Sequence, residues 1–589
     1  MLGNRLVVGL DYGTTYTGVS FCETTDTGVL GKDIEVIKDW PSAHTKIGTK
    51  EKVPSEIALH DPSKWGALIP SNVQRHMWTK LELDRKRTGE VSKILRELSL
   101  DDEVPSRKPV DIIADYLTHV KDQLIKNLDR QYGKEVWRTL PITLVVTVPA
   151  VWSDSAKDST LQAVRNAGFS TSCFPKLKRT MLATEPEAAA IYTIQSLRGS
   201  VQDEQFAVGD GFIVCDMGGG TVDLVSYRIV ELEPTTLEEA TTGSGDQCGG
   251  SFVERGFLKW LERRLGTTDF VAIAGDRSED LPRTSLLPKM SRMLQDFVFE
   301  AKSGFSGSEI NFLRLPAPLN GIEEDHARGI VDGEIMITPD DMQEMFEFPL
   351  RRTYELLQDQ MKQARRGGKI KIKYVFMVGG FSESPYIYDK IKAFAEANGL
   401  EVIRPAYAWS AVVRGAAAKG LEGDGRAPIK NRKCRRHYGT NYAPVFEPGK
   451  HKEADAYICS YTGIKRASSQ IRWILHQDQD LATNAESHAE VSFCKFFWPG
   501  DSRTMTIDLL ACNVEKAPQR FTDKNVFTVA TLSVDLSSVP ATCFQTCFAP
   551  GGRVYTTLSI EIQISVQSSL EYSLLVEGVR YGSVTAKYA

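Results

Sequence analysis

Two stretches of the sequence place an aspartate directly before a short turn of glycine and threonine. "VVGLDYGTTYTGVSF" contains Asp11 and the turn 13–15, and "FIVCDMGGGTVDLVSY" contains Asp216, the turn 218–221 and Asp223. Backbone amides and threonine hydroxyls in such turns hold phosphate oxygens, whereas carboxylates bind Mg²⁺, usually through its waters. Two turns facing each other predict a site that grips a triphosphate chain from both sides.

A purely structural role is the competing interpretation of these turns. A single Gly-Gly-Gly turn is more often part of a plain hairpin, but two copies of strand, aspartate, turn and alternating strand favour phosphate binding. The sequence has no G-x-x-x-x-G-K-[ST] pattern, which argues against a P-loop. The segment "GSGDQCGG" lacks the full glycine pattern of a dinucleotide loop, so Rossmann-type binding is not expected.

Alternating strands and helices must hold these turns. Residues 1 to about 425 alternate short apolar strands with amphipathic helices, which predicts an α/β domain. Helix starts are recognisable at Ser153 and at Thr338, which Pro339 and two acids follow. From residue 441 to 589, short alternating segments replace the helices and predict a β-sandwich-like domain.

The segment between the two regions, residues 426–440, is basic and predicts a linker. A solvated surface is the favoured interpretation of its charges; an acidic partner and a nuclear signal are the alternatives. The net charge of −5 gives no reason to expect nucleic acid, and no apolar run reaches the roughly 18 residues of a membrane span. The ten cysteines lack metal-site spacing and no signal peptide is recognisable, so a reducing, cytoplasmic location is expected.

Further motifs extend this pattern into a family resemblance. "VVTVPAVWSDSAKDSTLQAVRNAGF", "ATEPEAAAIYT" and "VFMVGGFSESP" follow the two turns in an order that resembles the Hsp70 ATPases of the actin-like superfamily. The resemblance covers about residues 5–420 and points to the divergent group of the heat-shock 70 kDa protein 12 type. It implies an actin-like (ribonuclease H-like) domain over residues 1–425, with lobes at about 1–200 and 201–425.

The resemblance also implies roles for single residues. Asp11 and Asp216 would hold Mg²⁺ through water, and Asp223 would help to position metal and water. Glu185 of "TEPEAA" would orient the attacking water, and Lys80 would offset charge on the γ-phosphate. The nucleotide-binding residues implied are Gly13, Thr14, Thr15, Tyr16, Gly218, Gly219, Gly220, Thr221, Gly249, Gly250, Lys302, Gly379, Gly380 and Phe381.

The adenosine end departs from the Hsp70 pattern. Phe381 and Glu383 stand where the family carries a serine and an arginine. Phe299 and Ser303 replace a glutamate and an arginine, and Trp409 replaces an aspartate. Stacking of a purine on an aromatic ring is one alternative, and the identity of the base stays open.

The region 441–589 resembles a lidless Hsp70 substrate-binding domain only weakly. Its aromatic residues either pack in the core, which is favoured, or line a groove for a partner; they are Trp473, Phe493, Phe496, Phe497 and Trp498. Client peptides or co-chaperones are the partners that the resemblance implies.

Three functions are compatible with the sequence. The leading hypothesis is an Hsp70-like protein that binds Mg-ATP between two lobes, hydrolyses it slowly and thereby biases its β-domain. A non-catalytic, nucleotide-dependent scaffold is the alternative favoured by the altered adenosine end. A small-molecule kinase of the same superfamily is the third, although no sugar-pocket signature is recognisable.

Overall fold

The computed structural model describes residues 4–24, 34–42, 50–70, 73–84, 107–197, 206–232, 235–281, 286–366, 370–421, 429–482, 489–566, 570–581 and 585–588. The chain divides into two compact units, Met1–Pro428 and Ile429–Ala589. None of the helices in these described ranges is long and apolar enough to cross a membrane. All ten cysteines lie in the described ranges, and none forms a disulfide.

The first unit begins with a sheet that carries the first aspartate turn. Its strands are β1 (Arg5–Tyr12), β2 (Tyr16–Thr24), β3 (Glu35–Val36), β4 (Val53–Pro54), β7 (Ile142–Val148) and β8 (Leu177–Thr184), while β5 (Ile57–Ala58) and β6 (Arg75–His76) form a separate pair. The order is β3-β2-β1-β7-β8, with β4 on β2. Strand β1 is apolar at successive positions because both of its faces are covered: Leu6 and Val8 face one hydrophobic cluster and Val7 another.

Three helices accompany this sheet: α1 (Pro109–Tyr132), α2 (Asp154–Asn166) and α3 (Glu185–Leu197). Ser153 caps α2, since its hydroxyl accepts a hydrogen bond from the Ala156 N–H at 3.2 Å. Helix α3 follows β8 without an intervening residue, so the end of a buried strand presents Glu185.

A second sheet carries the second aspartate turn. Its strands are β9 (Gly211–Met217), β10 (Val222–Leu232), β11 (Thr235–Glu239), β12 (Ser244–Asp246), β17 (Ile372–Val378) and β18 (Glu401–Ile403). They follow the order β18-β17-β9-β10-β11, with β12 beside β10. A smaller sheet contains β13 (Asn311–Arg314), β14 (Glu324–Asp325), β15 (Ile330–Val331) and β16 (Glu334–Ile337).

Six helices accompany or follow this second sheet. They are α4 (Ser251–Leu265), α5 (Thr267–Ala274), α6 (Pro288–Asp296), α7 (Pro339–Arg366), α8 (Pro385–Ala397) and α9 (Ala411–Leu421). A π-helical turn, Phe297–Lys302, continues α6. The Thr338 hydroxyl and the Asp341 carboxylate cap the start of α7 reciprocally, as the sequence pattern predicts.

The sequence repeat is a structural repeat. Strand β1 pairs antiparallel with β2 and parallel with β7, and β9 likewise pairs antiparallel with β10 and parallel with β17. Asp11 lies opposite Gly18 in the first hairpin, and Asp216 lies opposite Asp223 in the second. The two hairpins are therefore equivalent, except that a glycine stands in one where an aspartate stands in the other.

The last helix of this unit returns to the first sheet. Ala417 and Ala418 of α9 pack with Val7, and Ala416 packs with Val145. A Cβ on Gly415 would lie 1.7 Å from the carbonyl oxygen of Ala188 in α3, so the two helices cross in close backbone contact. Residues 411–421 thus belong structurally with the first lobe, which differs from the expected lobe boundaries; positions 200 and 425 themselves lie outside the described residues.

The second unit is built from strands. They are β19 (Ile429–Lys433), β20 (His437–Tyr442), β21 (Ala456–Ile458), β22 (Lys465–Ala467), β23 (Gln470–Leu475), β24 (Asp480–Ala482), β25 (Ala489–Phe497), β26 (Thr504–Cys512), β27 (Phe527–Asp535), β28 (Gln545–Phe548), β29 (Val554–Val566), β30 (Leu570–Val576), β31 (Val579–Arg580) and β32 (Thr585–Tyr588). One sheet has the order β23-β20-β26-β27-β32, another the order β25-β29-β30-β31 with β28 on β29. Leu509 of the first sheet and Ile560 of the second belong to one hydrophobic core.

The basic segment 426–440 is more ordered than a linker. Residues 426–428 lie outside the described residues, but β19 and the start of β20 lie within the segment. Strand β19 pairs antiparallel with β24, and Lys433 forms an ion pair of 2.7 Å with Asp480 opposite it. Cross-strand pairing of this kind lets a basic sequence form a strand.

The aromatic residues of this unit pack against each other. Phe497 is buried in the core, and Phe493 packs against it. Trp498 stacks on Tyr461 with ring centroids 4.4 Å apart, and Phe496 contacts the same tyrosine. The indole N–H of Trp473 donates a hydrogen bond of 2.7 Å to the Pro518 carbonyl.

Candidate functional site

The two aspartate turns face each other across a cavity of about 400 Å³. A Cβ on Gly219 would lie 2.2 Å from Oγ1 of Thr15, and one on Gly220 would lie 2.5 Å from Cγ2 of Thr14. The glycines of the second turn are thus required by the threonines of the first. Residues of both turns that line the cavity are Asp11, Gly13, Thr14, Thr15, Tyr16, Asp216, Gly218, Gly219, Gly220 and Thr221.

A second glycine pair supports the triple-glycine turn from behind. The N–H of Gly250 donates to the Gly218 carbonyl at 3.1 Å, and that of Ser251 donates to the Gly219 carbonyl at 2.8 Å. A Cβ on Gly249 would lie 2.6 Å from the Gly218 oxygen. Gly250 lines the cavity, whereas Gly249 does not and serves to let the two loops pack.

Lys80 and Glu185 form a buried ion pair in the cavity wall. Lys80 lies in the short 3₁₀ helix Thr79–Leu83, which a hydrogen bond of 2.7 Å between Thr79 and Tyr12 attaches to β1. Burial raises the pKa of Glu185 to about 7, and the nearby Asp11 and Asp223 add to this rise while Lys80 opposes it. Burial disfavours the charge of Lys80, but Glu185 and Asp11 outweigh it and raise the pKa of Lys80.

Asp11 has a protein partner on each carboxylate oxygen. Its Oδ2 accepts from Lys52 Nζ at 2.7 Å, and its Oδ1 accepts from the Thr147 hydroxyl at 2.8 Å. Burial alone would raise the pKa of Asp11, but Lys52 and then Lys80 outweigh it and hold this pKa below its usual range. The carboxylate is therefore ionised and fixed in orientation.

Asp216 lies in a different electrostatic environment. Burial raises the pKa of Asp216 well above its usual range, and the charges of Glu185, Asp223 and Asp11 act in the same direction. Such crowding of carboxylates fits a bound divalent cation, which would relieve their repulsion. In the part of the chain that the structure describes, however, no three His, Cys, Asp or Glu side chains are arranged as direct metal ligands.

Asp223 is placed beneath the cavity rather than in its wall. It is buried opposite Asp216 in the β9–β10 pair and is absent from the cavity lining. The negative charge of Asp223 acts on the site through space and raises the pKa values of Glu185 and Asp216.

The opposite end of the cavity is aromatic. Phe381 is buried, stacks on Phe346 and lies with its ring centroid 5.9 Å from Lys302 Nζ. Lys302 also donates to Glu254 at 2.9 Å. Phe299, Trp409, Gly379 and Gly380 complete this wall.

A contact across the cleft joins the two lobes at this end. Lys50 Nζ from the first lobe lies 5.5 Å from the ring centroid of Phe299 in the second. Tyr16 and Trp409 meet edge to face, with centroids 5.7 Å apart.

Comparison with known proteins agrees with this geometry. The model of the family described as Hsp70 protein matches residues 71–428, more than half of the chain. The chain belongs to the Hsp70 family. Membership implies the actin-like two-lobed ATPase fold, so the two pseudo-equivalent sheets are the cores of the two lobes.

Individual Hsp70 relatives are distant. Human heat shock 70 kDa protein 12A is 24% identical, with 76% of this chain and 73% of that protein covered. Human heat shock 70 kDa protein 12B is also 24% identical, with 93% and 86% covered. Chaperone protein DnaK of Mycoplasmopsis synoviae (strain 53) is 24% identical over 66% of this chain and 54% of its own length.

Sequence motifs identified most, but not all, of the cavity wall of this Hsp70 protein. Every site residue named from the sequence lines the cavity except Asp223 and Gly249, which lie behind it. Reasoning from sequence missed Lys50, Lys52, Ser251, Glu254, Val298, Ser384 and Val412. Lys52 precedes "VPSE", a segment without a phosphate-site pattern, and only the pairing of β2 with β4 brings it to Asp11.

Proposed function

We propose that this Hsp70 family member binds Mg-ATP in the cleft between its lobes and hydrolyses it, and that the nucleotide state biases the β-rich unit. The observation that carries the proposal is the convergence of both aspartate turns and the Lys80–Glu185 pair on one cavity. An ATP hydrolase needs little covalent chemistry from the protein, but it needs phosphate positioning, charge compensation and an oriented water.

The two turns would position the phosphates. The hydroxyls of Thr14, Thr15 and Thr221 supply donors, and the glycines let backbone approach the ligand closely. Because each turn belongs to a different lobe, a bound phosphate chain would hold the lobes together.

The carboxylates fit a magnesium site. Bound Mg²⁺ supplies charge neutralisation on the phosphates. Asp216 would hold it through water, and Asp223 beneath would keep that carboxylate in an electronegative environment. Asp11 would contribute from the opposite lobe while it anchors Lys52.

Glu185 and Lys80 would act on the reacting end. Their contact supports a shared role: Glu185 would accept a hydrogen bond from the attacking water, and Lys80 would neutralise a phosphate oxygen. The aromatic wall of Phe299, Phe381 and Trp409 would hold the base by stacking.

Turnover of γ-labelled ATP by the full chain tests the catalytic part of the proposal. Glu185→Gln should lower kcat by at least about a hundredfold, because it removes the group that orients the water, while nucleotide affinity is retained. Glu344→Gln, at an exposed ion pair with Arg263, is the control and should leave turnover unchanged. If the Glu185→Gln variant hydrolyses ATP as fast as the wild type, this mechanism is wrong. If the wild-type protein binds Mg-nucleotide tightly but does not hydrolyse ATP, the non-catalytic scaffold is the correct function.

Peptide binding by the β-rich unit is the second part of the proposal. Apolar side chains are exposed on this unit at Ile458 (65%) and Phe548 (71%), which suits contact with an extended apolar peptide. Fluorescence anisotropy with labelled apolar peptides should show affinities that differ between the ATP- and ADP-loaded protein. Ile458→Ser with Phe548→Ser should weaken binding, whereas Val136→Ser, at an exposed site on the first unit, should not. Equal affinities in both nucleotide states would remove the proposed coupling.

A further inference from the structure

The phosphate end of the cavity contains a second buried lysine besides Lys80. Lys52 is 8% exposed, lines the cavity and contacts Asp11 Oδ2 at 2.7 Å. Lys80 pairs with Glu185 on the same wall, so each of the two lysines has its own carboxylate. Two fixed ammonium groups therefore face the space between the glycine turns.

The strand pairing explains how Lys52 reaches this position. Strand β4 pairs with β2 through Thr17 and Val53, which places Lys52 beside Gly18. A Cβ on Gly18 would lie 3.3 Å from Cγ and 3.5 Å from Cε of Lys52, so the lysine side chain runs directly alongside position 18.

The hairpin β9–β10 of the second lobe shows what differs at the position opposite the aspartate. Asp216 lies opposite Asp223, whereas Asp11 lies opposite Gly18, alongside which the Lys52 side chain runs. Of two pseudo-equivalent positions, one therefore carries a carboxylate and the other an ammonium group. The first lobe therefore presents a positive charge to the cavity at this position, whereas the equivalent negative charge of the second lobe, Asp223, is buried outside the cavity lining.

The remaining hydrogen-bonding capacity of Lys52 points to a ligand. A lysine has three N–H donors, and among the described residues Lys52 Nζ donates one hydrogen bond, to Asp11 Oδ2. Asp11 is itself held by Thr147, so the ammonium is fixed rather than mobile. A desolvated, pre-positioned ammonium binds phosphate oxygen without a further cost of ordering.

We propose that Lys52 is a second phosphate-binding cation of the cleft, positioned by Asp11, which takes over part of the charge compensation that Mg²⁺ otherwise supplies. The inference rests on the proposed nucleotide function. It predicts that removal of Mg²⁺ weakens ATP binding without abolishing it, and that Lys52 matters most when the metal is absent.

Isothermal titration calorimetry of the full chain with ATP, in Mg²⁺ and in EDTA, tests the inference. Lys52→Met should lower ATP affinity at least about tenfold in EDTA, the value of one charge-assisted hydrogen bond, and by a smaller factor in Mg²⁺. Lys64→Met, an exposed lysine of the same lobe, should change neither affinity by more than about twofold.

The other possible outcomes distinguish a failure of the Lys52 role from a failure of the proposed nucleotide function. Equal losses in both buffers, no loss in EDTA, or wild-type binding that requires Mg²⁺ would each overturn the role of Lys52 and leave nucleotide binding intact. Wild-type protein that binds ATP in neither buffer would overturn the proposed function itself.

A second pair of variants covers the case in which Lys52→Met unfolds because Asp11 is left buried and unpaired. Asp11→Asn keeps the ammonium group and should keep most of the affinity in EDTA. Asp11→Asn/Lys52→Met removes both charges and should lose at least about tenfold relative to it. Equal affinity of these two variants in EDTA contradicts the proposal.

Discussion

The triple glycine of residues 218–220 has a steric cause that is visible at the scale of single residues. Gly219 and Gly220 each lie against a threonine of the opposite turn, within a distance that no Cβ could occupy. The turn lacks side chains because the two lobes come into close contact there. The absence of side chains also leaves the backbone N–H groups accessible to a ligand. Glycine therefore serves close packing and phosphate access together.

Gly219→Ala should lower ATP affinity at least about tenfold, because the new methyl group at 2.2 Å from Thr15 Oγ1 must push the turns apart. Gly321→Ala, where a Cβ meets nothing within 4 Å, is the matched control and should bind ATP normally. Calorimetry gives the affinities, and circular dichroism melts separate lost binding from lost folding. Wild-type affinity in Gly219→Ala would show that the turns do not act as one clamp.

Residues differ in how far the sequence alone could place them. Asp11 and Asp216 are followed by a local pattern, so their convergence was predictable. The position of Lys52 was not predictable, because it depends on the pairing of Val53 with Thr17, 36 residues earlier in the chain, and on the missing side chain of Gly18. Asp223 was expected in the cavity wall but is absent from it: the residue is buried opposite Asp216 in the β9–β10 pair and acts on the site through its charge.

At the scale of elements, helix boundaries follow local chemistry. The reciprocal contacts of Thr338 and Asp341 satisfy donors at the start of α7, and the Asp341 carboxylate also accepts from Trp260 at 2.8 Å and Arg264 at 2.7 Å. Such caps were readable from sequence. Strand β19 could not be predicted from the sequence, because its basic residues are typical of a linker. Only the pairing with β24, which brings Asp480 opposite Lys433, explains why these residues form a strand.

Asp341→Asn should lower the free energy of unfolding by about 1–3 kcal/mol at pH 7, because it weakens several charge-assisted hydrogen bonds. Burial raises the pKa of Asp341, but the Thr338 N–H and hydroxyl, Trp260 and Arg264 outweigh it and hold this pKa below 3.8. The carboxylate thus stabilises the fold fully above pH 3.8, and this stability is lost as the pH falls through the lower, folded-state pKa.

Thermal melts between pH 7 and pH 3 check this sign. The difference in Tm between wild type and Asp341→Asn should narrow on acidification, and Asp340→Asn, an exposed neighbour, should behave as wild type throughout. A difference that widens at low pH would contradict the assignment.

At the scale of the whole molecule, the first lobe is discontinuous in sequence. Its sheet is formed by strands of residues 5–184, yet one face is covered by α9 from residues 411–421. The second lobe is therefore an insertion between α3 and α9. The alternation of strands and helices in the sequence could not predict this insertion, because it indicates the type of each element but not the element against which it packs.

A chain truncated after residue 428 should fold and bind nucleotide, because Met1–Pro428 is a compact unit. Truncation after residue 403 should not, because it uncovers Val7 and Val145 on the sheet. Circular dichroism melts and calorimetry with ATP compare the two. A cooperative, nucleotide-binding chain 1–403 would show that α9 is dispensable for the first lobe.

The contact of Gly415 with the Ala188 carbonyl places the crossing of α3 and α9 close to one end of α3. Ala188 lies three residues from Glu185 but nine from Leu197, which at 1.5 Å per residue is about 4.5 Å and about 13.5 Å. The crossing point therefore lies away from the centre of α3. A rotation of α3 about this point by roughly 10° would displace the Leu197 end by about 2.4 Å and Glu185 by about 0.8 Å. Such a rotation would move the Leu197 end about three times as far as Glu185, so the position of the Glu185 carboxylate would be the less sensitive of the two to it.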